Sequence, residues 1–244
     1  MRAVIPTVWV DINEPLEGIV LSMYADRRSL VTTGMGNLLS TARQAALLPF
    51  RRPDGSLATG AEKEAEWHDI LAGCCKSKGV PGDPQAWERC AWPGKVNPKT
   101  GRGCFAHQGW RVSDAAKPRL RLTRADVDAL VGHELRRMWG ELIKFFPDAH
   151  TWPAAAQLAL LKMSWALGPA FCKTWPKFTA AALKRDFLEC ARHCTMKGGG
   201  TIVQRNAINV SLFTEAHHVE HLGLDPDVLH YPKPVACTIC HRPV

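Results

Sequence analysis

No apolar run in these 244 residues reaches the length of a membrane span, although 46% of them are hydrophobic. The opening stretch, MRAVIPTVWVDINEP, lacks the unbroken apolar core of a secretory signal, because Pro6 interrupts it and Asp11 and Glu14 follow closely. The expectation is a protein made in the cytosol without a signal peptide. No internal repeat or low-complexity tract is present, so a repeat architecture is not expected. No long Lys/Arg block occurs either, and no helix-like stretch is lined by basic residues alone. The net charge of +8 and the pI near 9.1 favour anionic partners through long-range attraction, but without a basic block they do not select nucleic acid over another anionic polymer.

What is present is an ordinary globular composition, with 22% charged residues, in a chain long enough for one core with an insertion. Nine cysteines is many for a cytosolic protein, and the number is odd. Cys74, Cys75, Cys90 and Cys104 cluster in the middle, Cys172, Cys190 and Cys194 lie in an apolar second half, and Cys237 and Cys240 lie near the end. The second group reads as free buried thiols acting as small apolar side chains. The first reads as staples of a Pro-, Gly-, Cys- and Trp-rich insertion over residues 49–118, formed after arrival in an oxidising compartment such as the periplasm. Zinc held there with His68 and His107 lacks the usual close pair of cysteines.

Taken in order, Asn13 and Pro15 suggest a helix start, and Leu16, Ile19, Val20 and Met23 keep helical spacing, which predicts a helix over 14–24. Leu30–Thr33 favours a strand and runs into Gly34-Met35-Gly36, a hairpin signal. Residues 37–48 read as helix, as does a short patch around 61–72. Thr123 with Asp126 has capping-box spacing. Behind it a long apolar-striped helix runs to the Pro147 stop. Further helices are expected over 154–167, as two short pieces over 176–194 broken near Asp186, and over 201–218. The expected fold class is α+β and mostly helical. The expected divisions are an N-terminal helix and β-hairpin lobe over 1–48, the cysteine-rich insertion over 49–118, a helical lobe over 119–222 and a tail over 223–244.

The stretch Glu17–Gly36, EGIVLSMYADRRSLVTTGMG, carries the chemistry. Two carboxylates at a short separation, followed by a hydroxyl and a tight glycine turn, suit acid/base hydrolysis of a glycosidic bond. Glu17, beside an apolar stripe, is placed where partial desolvation suits a general acid. Arg27 and Arg28 would keep the neighbouring Asp26 ionised, so the two carboxyls take opposite roles. Thr32 could hold the attacking water.

Glu17-Gly18, Tyr24-x-Asp26 and Thr32-x-Gly34-x-Gly36 together resemble the catalytic signature of the phage lysozymes, the muramidases of glycoside hydrolase family 24. The resemblance is strong over 12–48 and weaker over about 120–218. Ser29 stands where that family commonly has glycine, Asn37 where it has histidine, and Ala166 where it has an amide. The resemblance implies a lysozyme-like two-lobe fold whose lobes flank a glycan cleft. It implies cleavage of peptidoglycan between N-acetylmuramic acid and N-acetylglucosamine, with inversion and no cofactor. It also implies substrate-binding roles for Tyr24, Gly36 and Trp165, and places Arg205 where the family pairs an arginine with its catalytic glutamate. The expected partners are peptidoglycan strands, with holin or secretion machinery or an immunity protein beside them, and neither nucleic acid nor a membrane span. The expected place of action is the bacterial periplasm or cell wall, as a phage endolysin or an injected interbacterial toxin.

Two other chemistries compete. His217-His218-Val219-Glu220-His221 matches H-x-x-E-H, an inverted zinc-peptidase motif, but no glutamate follows it to complete a ligand set. Cys237-Thr-Ile-Cys240-His241 matches a haem c attachment pattern, and with His230 or His241 also suits a zinc knuckle. A non-catalytic wall-binding protein is the third alternative.

Overall fold

A computed structural model describes residues 1–25, 30–77, 118–199 and 201–230. The insertion's stapling cysteines and the tail's Cys237, Cys240 and His241 lie outside these residues or outside the side chains described. The described chain is mostly helical with one small antiparallel sheet, as the α+β expectation requires. It divides into two compact units, one made of Met1–Leu16 with Gly132–Val244, the other of Glu17–Val131.

The first unit is built around a helix that is buried over its first three turns. Helices α1 (Val4–Glu17), α4 (Arg124–Phe145), α5 (Ala154–Leu167), α6 (Pro176–Leu183), α7 (Phe187–His193) and α8 (Thr201–His221) are connected partly by 3₁₀ turns at Pro147–Thr151 and Pro169–Lys173. Every residue of α5 from Ala154 to Ser164 is buried. Over that stretch the helix is mostly apolar and has no solvent face, so it becomes the core against which the others pack. Phe178 of α6 meets Phe213 of α8 at 5.4 Å between ring centroids. Trp152, just before α5, meets Phe146 and Phe187 at 5.6 and 5.4 Å. Cys172, Cys190 and Cys194 are free and buried, as the apolar second half suggested, and burial pushes the Cys172 thiol up to about 11.

The chain's start is tied to this core by polar contacts. The Arg2 backbone N–H donates to Gln157 Oε1 at 2.8 Å, and Gln157 Nε2 donates to the carbonyls of Ala149 and Trp152, both at 3.0 Å. The Arg2 guanidinium donates to Trp152 O at 2.6 Å and pairs with Asp227.

Helix α1 corrects the expectation of a helix over 14–24. Ile5, Trp9 and Asn13 recur every four residues and are buried, so the apolar stripe begins ten residues earlier than the spacing after Asn13 suggested. Pro6 lies in the first turn, where a missing N–H costs little. Gly18 ends the helix at φ 71°, a left-handed conformation that favours glycine, and the chain leaves as a strand.

The second unit holds the sheet, strands β1 (Val20–Ala25), β2 (Val31–Gly34) and β3 (Asn37–Leu38) in that order and antiparallel, with α3 (Gly60–Ser77) packed beside it and α2 (Ala42–Leu47) packed on α3. The helix expected over 37–48 is therefore a short strand followed by a short helix. Three capping boxes set the helix starts: Thr41 with Gln44, Thr59 with Glu62, and Thr123 with Asp126, where the Thr123 backbone N–H donates to Asp126 at 2.8 Å. Glu62 also accepts two bonds from Arg52 at 2.8 and 2.6 Å, and this pairing holds its carboxyl down at about 2. Glu66 is buried and accepts the backbone N–H groups of Arg119 and Leu120 at 2.8 and 3.1 Å, which pins the chain as it enters α4; burial nonetheless raises its pKa.

Glu215 on α8 generates a pH prediction. It is 5% exposed, accepts the His230 backbone N–H at 2.6 Å, and burial raises its pKa to about 7 from 4.5. A carboxyl whose folded pKa is raised stabilises the fold in its protonated form. That contribution is complete below the ordinary carboxyl pKa and is lost as pH rises through about 7. Glu215→Gln should therefore match the wild type near pH 4 and exceed its stability at about pH 8 by roughly 2 kcal/mol. Urea unfolding at the two pH values measures this, and parallel pH dependence of both proteins would contradict it.

Candidate active site

The last residue of α1 is Glu17, so the first candidate carboxylate stands where the helix stops and Gly18 turns the chain into β1. It is half-buried. The hairpin then returns the chain: Val20 pairs with Gly34, Tyr24 with Thr32 and Ala25 with Val31. The register shifts between the first two of these pairs, which marks a bulge in the ladder. Asp26, the second candidate carboxylate, follows Ala25 in sequence and lies outside the described residues, as do Arg27, Arg28 and Ser29.

Thr32 and Tyr24 are brought together as direct cross-strand partners. Thr32 is 3% exposed, and its hydroxyl donates to Leu30 O at 3.1 Å, which leaves the oxygen lone pairs as its remaining function. Thr33 on the other face donates to Ser22 O at 3.1 Å and locks β1 to β2. Gly34 and Gly36 sit at φ 62° and 83° around the buried Met35. At Gly34 a Cβ would lie 3.0 Å from Asn37 Oδ1 and 3.4 Å from Val127 Cγ1, so glycine is required there for both conformation and space. Asn37 Oδ1 is buried without a hydrogen-bond partner among the described residues, and a neutral amide at this position forms no ion pair.

Trp165 and Arg205 belong to the other unit, on α5 and α8. The Trp165 ring packs on Trp9 of α1 at 5.2 Å between centroids, which gives it a packing role between these helices. Arg205 is half-buried.

The H-x-x-E-H segment lies at the end of α8. His217 and His221 stack at 5.6 Å with ring planes 10° apart, and burial first, then His221, lowers the His217 pKa. The Glu220 carboxylate is engaged by Arg185, whose guanidinium also donates to Thr151 at 2.7 Å. Among the described residues no three His, Cys, Asp or Glu side chains are placed to hold a metal ion.

Sequence reasoning passed over one polar group of consequence. Lys162 interrupts the apolar run LALLKMSWAL on α5 and is 5% exposed; that lone charge in an otherwise apolar helix was the available signal. Comparison with other proteins adds nothing to this site: the chain matches no family model, no curated protein and no solved structure.

The turn geometry is directly testable. Gly34→Ala forces a side chain into a left-handed conformation against Asn37 and Val127, and should lower stability by about 1–3 kcal/mol in chemical denaturation. Unchanged stability would contradict the turn described here.

Proposed function

We propose that this protein is a lysozyme-like muramidase that hydrolyses the bond between N-acetylmuramic acid and N-acetylglucosamine in peptidoglycan. One observation carries the reading. The residues of the signature fall on one local construction: an acid closing a helix, a glycine reversal, and a hairpin that sets Thr32 opposite Tyr24, two residues before Asp26.

In this reading Glu17 is the general acid. Its proton passes to the glycosidic oxygen as the bond from that oxygen to C1 breaks, and positive charge develops on the sugar ring. Asp26 accepts a proton from a water that adds to C1 on the opposite face, and a lone pair of Thr32 helps to hold that water. The products are two shorter glycans, the new reducing end having inverted configuration. Exchange with solvent returns the proton from Asp26 to Glu17. Nothing in this cycle calls for a cofactor.

The wall is then the place of action, and the setting is an endolysin or an injected effector. A zinc peptidase based on His217 and His221 is the weaker reading, because Glu220 is occupied by Arg185 and no third ligand joins the pair among the described residues.

Glu17→Gln should fold as the wild type does and lose wall lysis by about a hundred- to ten-thousand-fold, because an amide has no proton to give the leaving oxygen. Turbidity clearance of purified peptidoglycan measures this. Lysis at the wild-type rate by Glu17→Gln would overturn the assignment. Binding without lysis by the wild type would favour a wall-binding module instead.

A further inference from the structure

Lys162 is hard to explain as a stabilising residue. Helix α5 is buried on every side from Ala154 to Ser164, and its neighbours Leu160, Leu161 and Met163 are fully buried apolar side chains. Taking an ammonium out of water costs several kcal/mol, which its partners must offset, and replacing such a buried polar pair as a whole by well-packed apolar residues is often neutral or better. A residue that breaks the local rule of its helix in this way is expected where function asks for it.

Its contact shows what it does. Lys162 Nζ donates to Asn13 Oδ1 at 2.5 Å, and Asn13 Nδ2 donates to Trp9 O at 2.8 Å. Asn13 is 2% exposed and lies one helical turn before Glu17, on the same face of α1. Between them stands Pro15, inside the helix, which has no N–H to give the preceding turn. The last turn of α1 is therefore short of a backbone bond where the acid is attached. The ammonium supplies an anchor from outside the helix, and its charge suits the negative end of the α1 dipole. The tilted packing of Trp165 against Trp9 holds the same two helices together one turn further back.

We infer that Lys162 is a positioning residue for Glu17, acting through Asn13 to fix the terminal turn of α1. This rests on the reading of Glu17 as the general acid. A side chain placed about 1 Å from its productive position can cost on the order of a hundredfold in rate, and that is the loss the clamp prevents.

The test is Lys162→Met, which keeps the length and removes the donor. Its KM for solubilised peptidoglycan should be unchanged, and its kcat should fall about 10- to 100-fold at temperatures where circular dichroism shows it folded. Lys162→Gln, which keeps a donor, should recover part of that loss. Asn13→Leu should also lower kcat, and the losses of the two single variants should not multiply in the double variant, because each of them already breaks the bond between Lys162 and Asn13. If Lys162→Met does not fold, Asn13→Leu carries the same test from the other end of the bond. Wild-type kcat in Lys162→Met or Asn13→Leu would overturn the inference, as would losses that multiply in the double variant. These results leave the muramidase reading standing as long as Glu17→Gln is inactive. A wild type without hydrolysis, or an active Glu17→Gln, removes that reading and the inference with it.

Discussion

The burial of α5 on every side from Ala154 to Ser164 is the constraint on which the rest of the helical unit depends. A helix with no solvent face fixes its neighbours by shape, and here α1 is held by three kinds of contact at once. Ile5 and Trp9 are fully buried, each worth roughly 1.5–3 kcal/mol of apolar burial. Gln157 takes the backbone of Arg2, and Lys162 takes Asn13. The apolar terms help to offset what burying the Lys162 ammonium costs. The consequence for function lies four residues past Asn13, where α1 ends in Glu17.

The hairpin solves a different problem. Its strands are short, so side-chain and glycine contacts supply what a long ladder would. Thr33 reaches across to Ser22 O, Met35 is buried in the turn, and Gly34 leaves space for Val127 at the start of α4. These contacts fix the pairing of Tyr24 with Thr32, and a slip of one residue would exchange the faces of every side chain in the site.

Much of the fold was legible in the chain because helix-forming patterns and caps are local. The Thr123–Asp126 box, the long helix behind it, the apolar stretch 154–167 and the glycine turn at 34–36 all read directly. Helix α1 did not. Leu16, Ile19, Val20 and Met23 satisfy helical spacing by coincidence across Gly18, whose positive φ breaks the run, and Val20 and Met23 are buried as part of a strand. The strand at Asn37–Leu38 was hidden in a sequence of good helix formers because its pairing with Thr32 and Thr33 is a tertiary choice. Of the candidate site, Glu17, Tyr24 and Thr32 were read from motif spacing. Lys162 was not, since a charge inside an apolar run gains meaning only once Asn13 is seen beside it.

The central claim is acid/base hydrolysis with inversion by Glu17, Asp26 and a water held with Thr32. Inversion needs the carboxyl groups to stand about 6.5–9.5 Å apart so that a water fits, whereas retention brings them to about 5 Å and makes Asp26 the nucleophile. Proton NMR of the first product released from a defined muropeptide oligomer reads the anomer before mutarotation. The account predicts the α-anomer first. An initial β-anomer would mean retention and would contradict the roles given to Asp26 and Thr32.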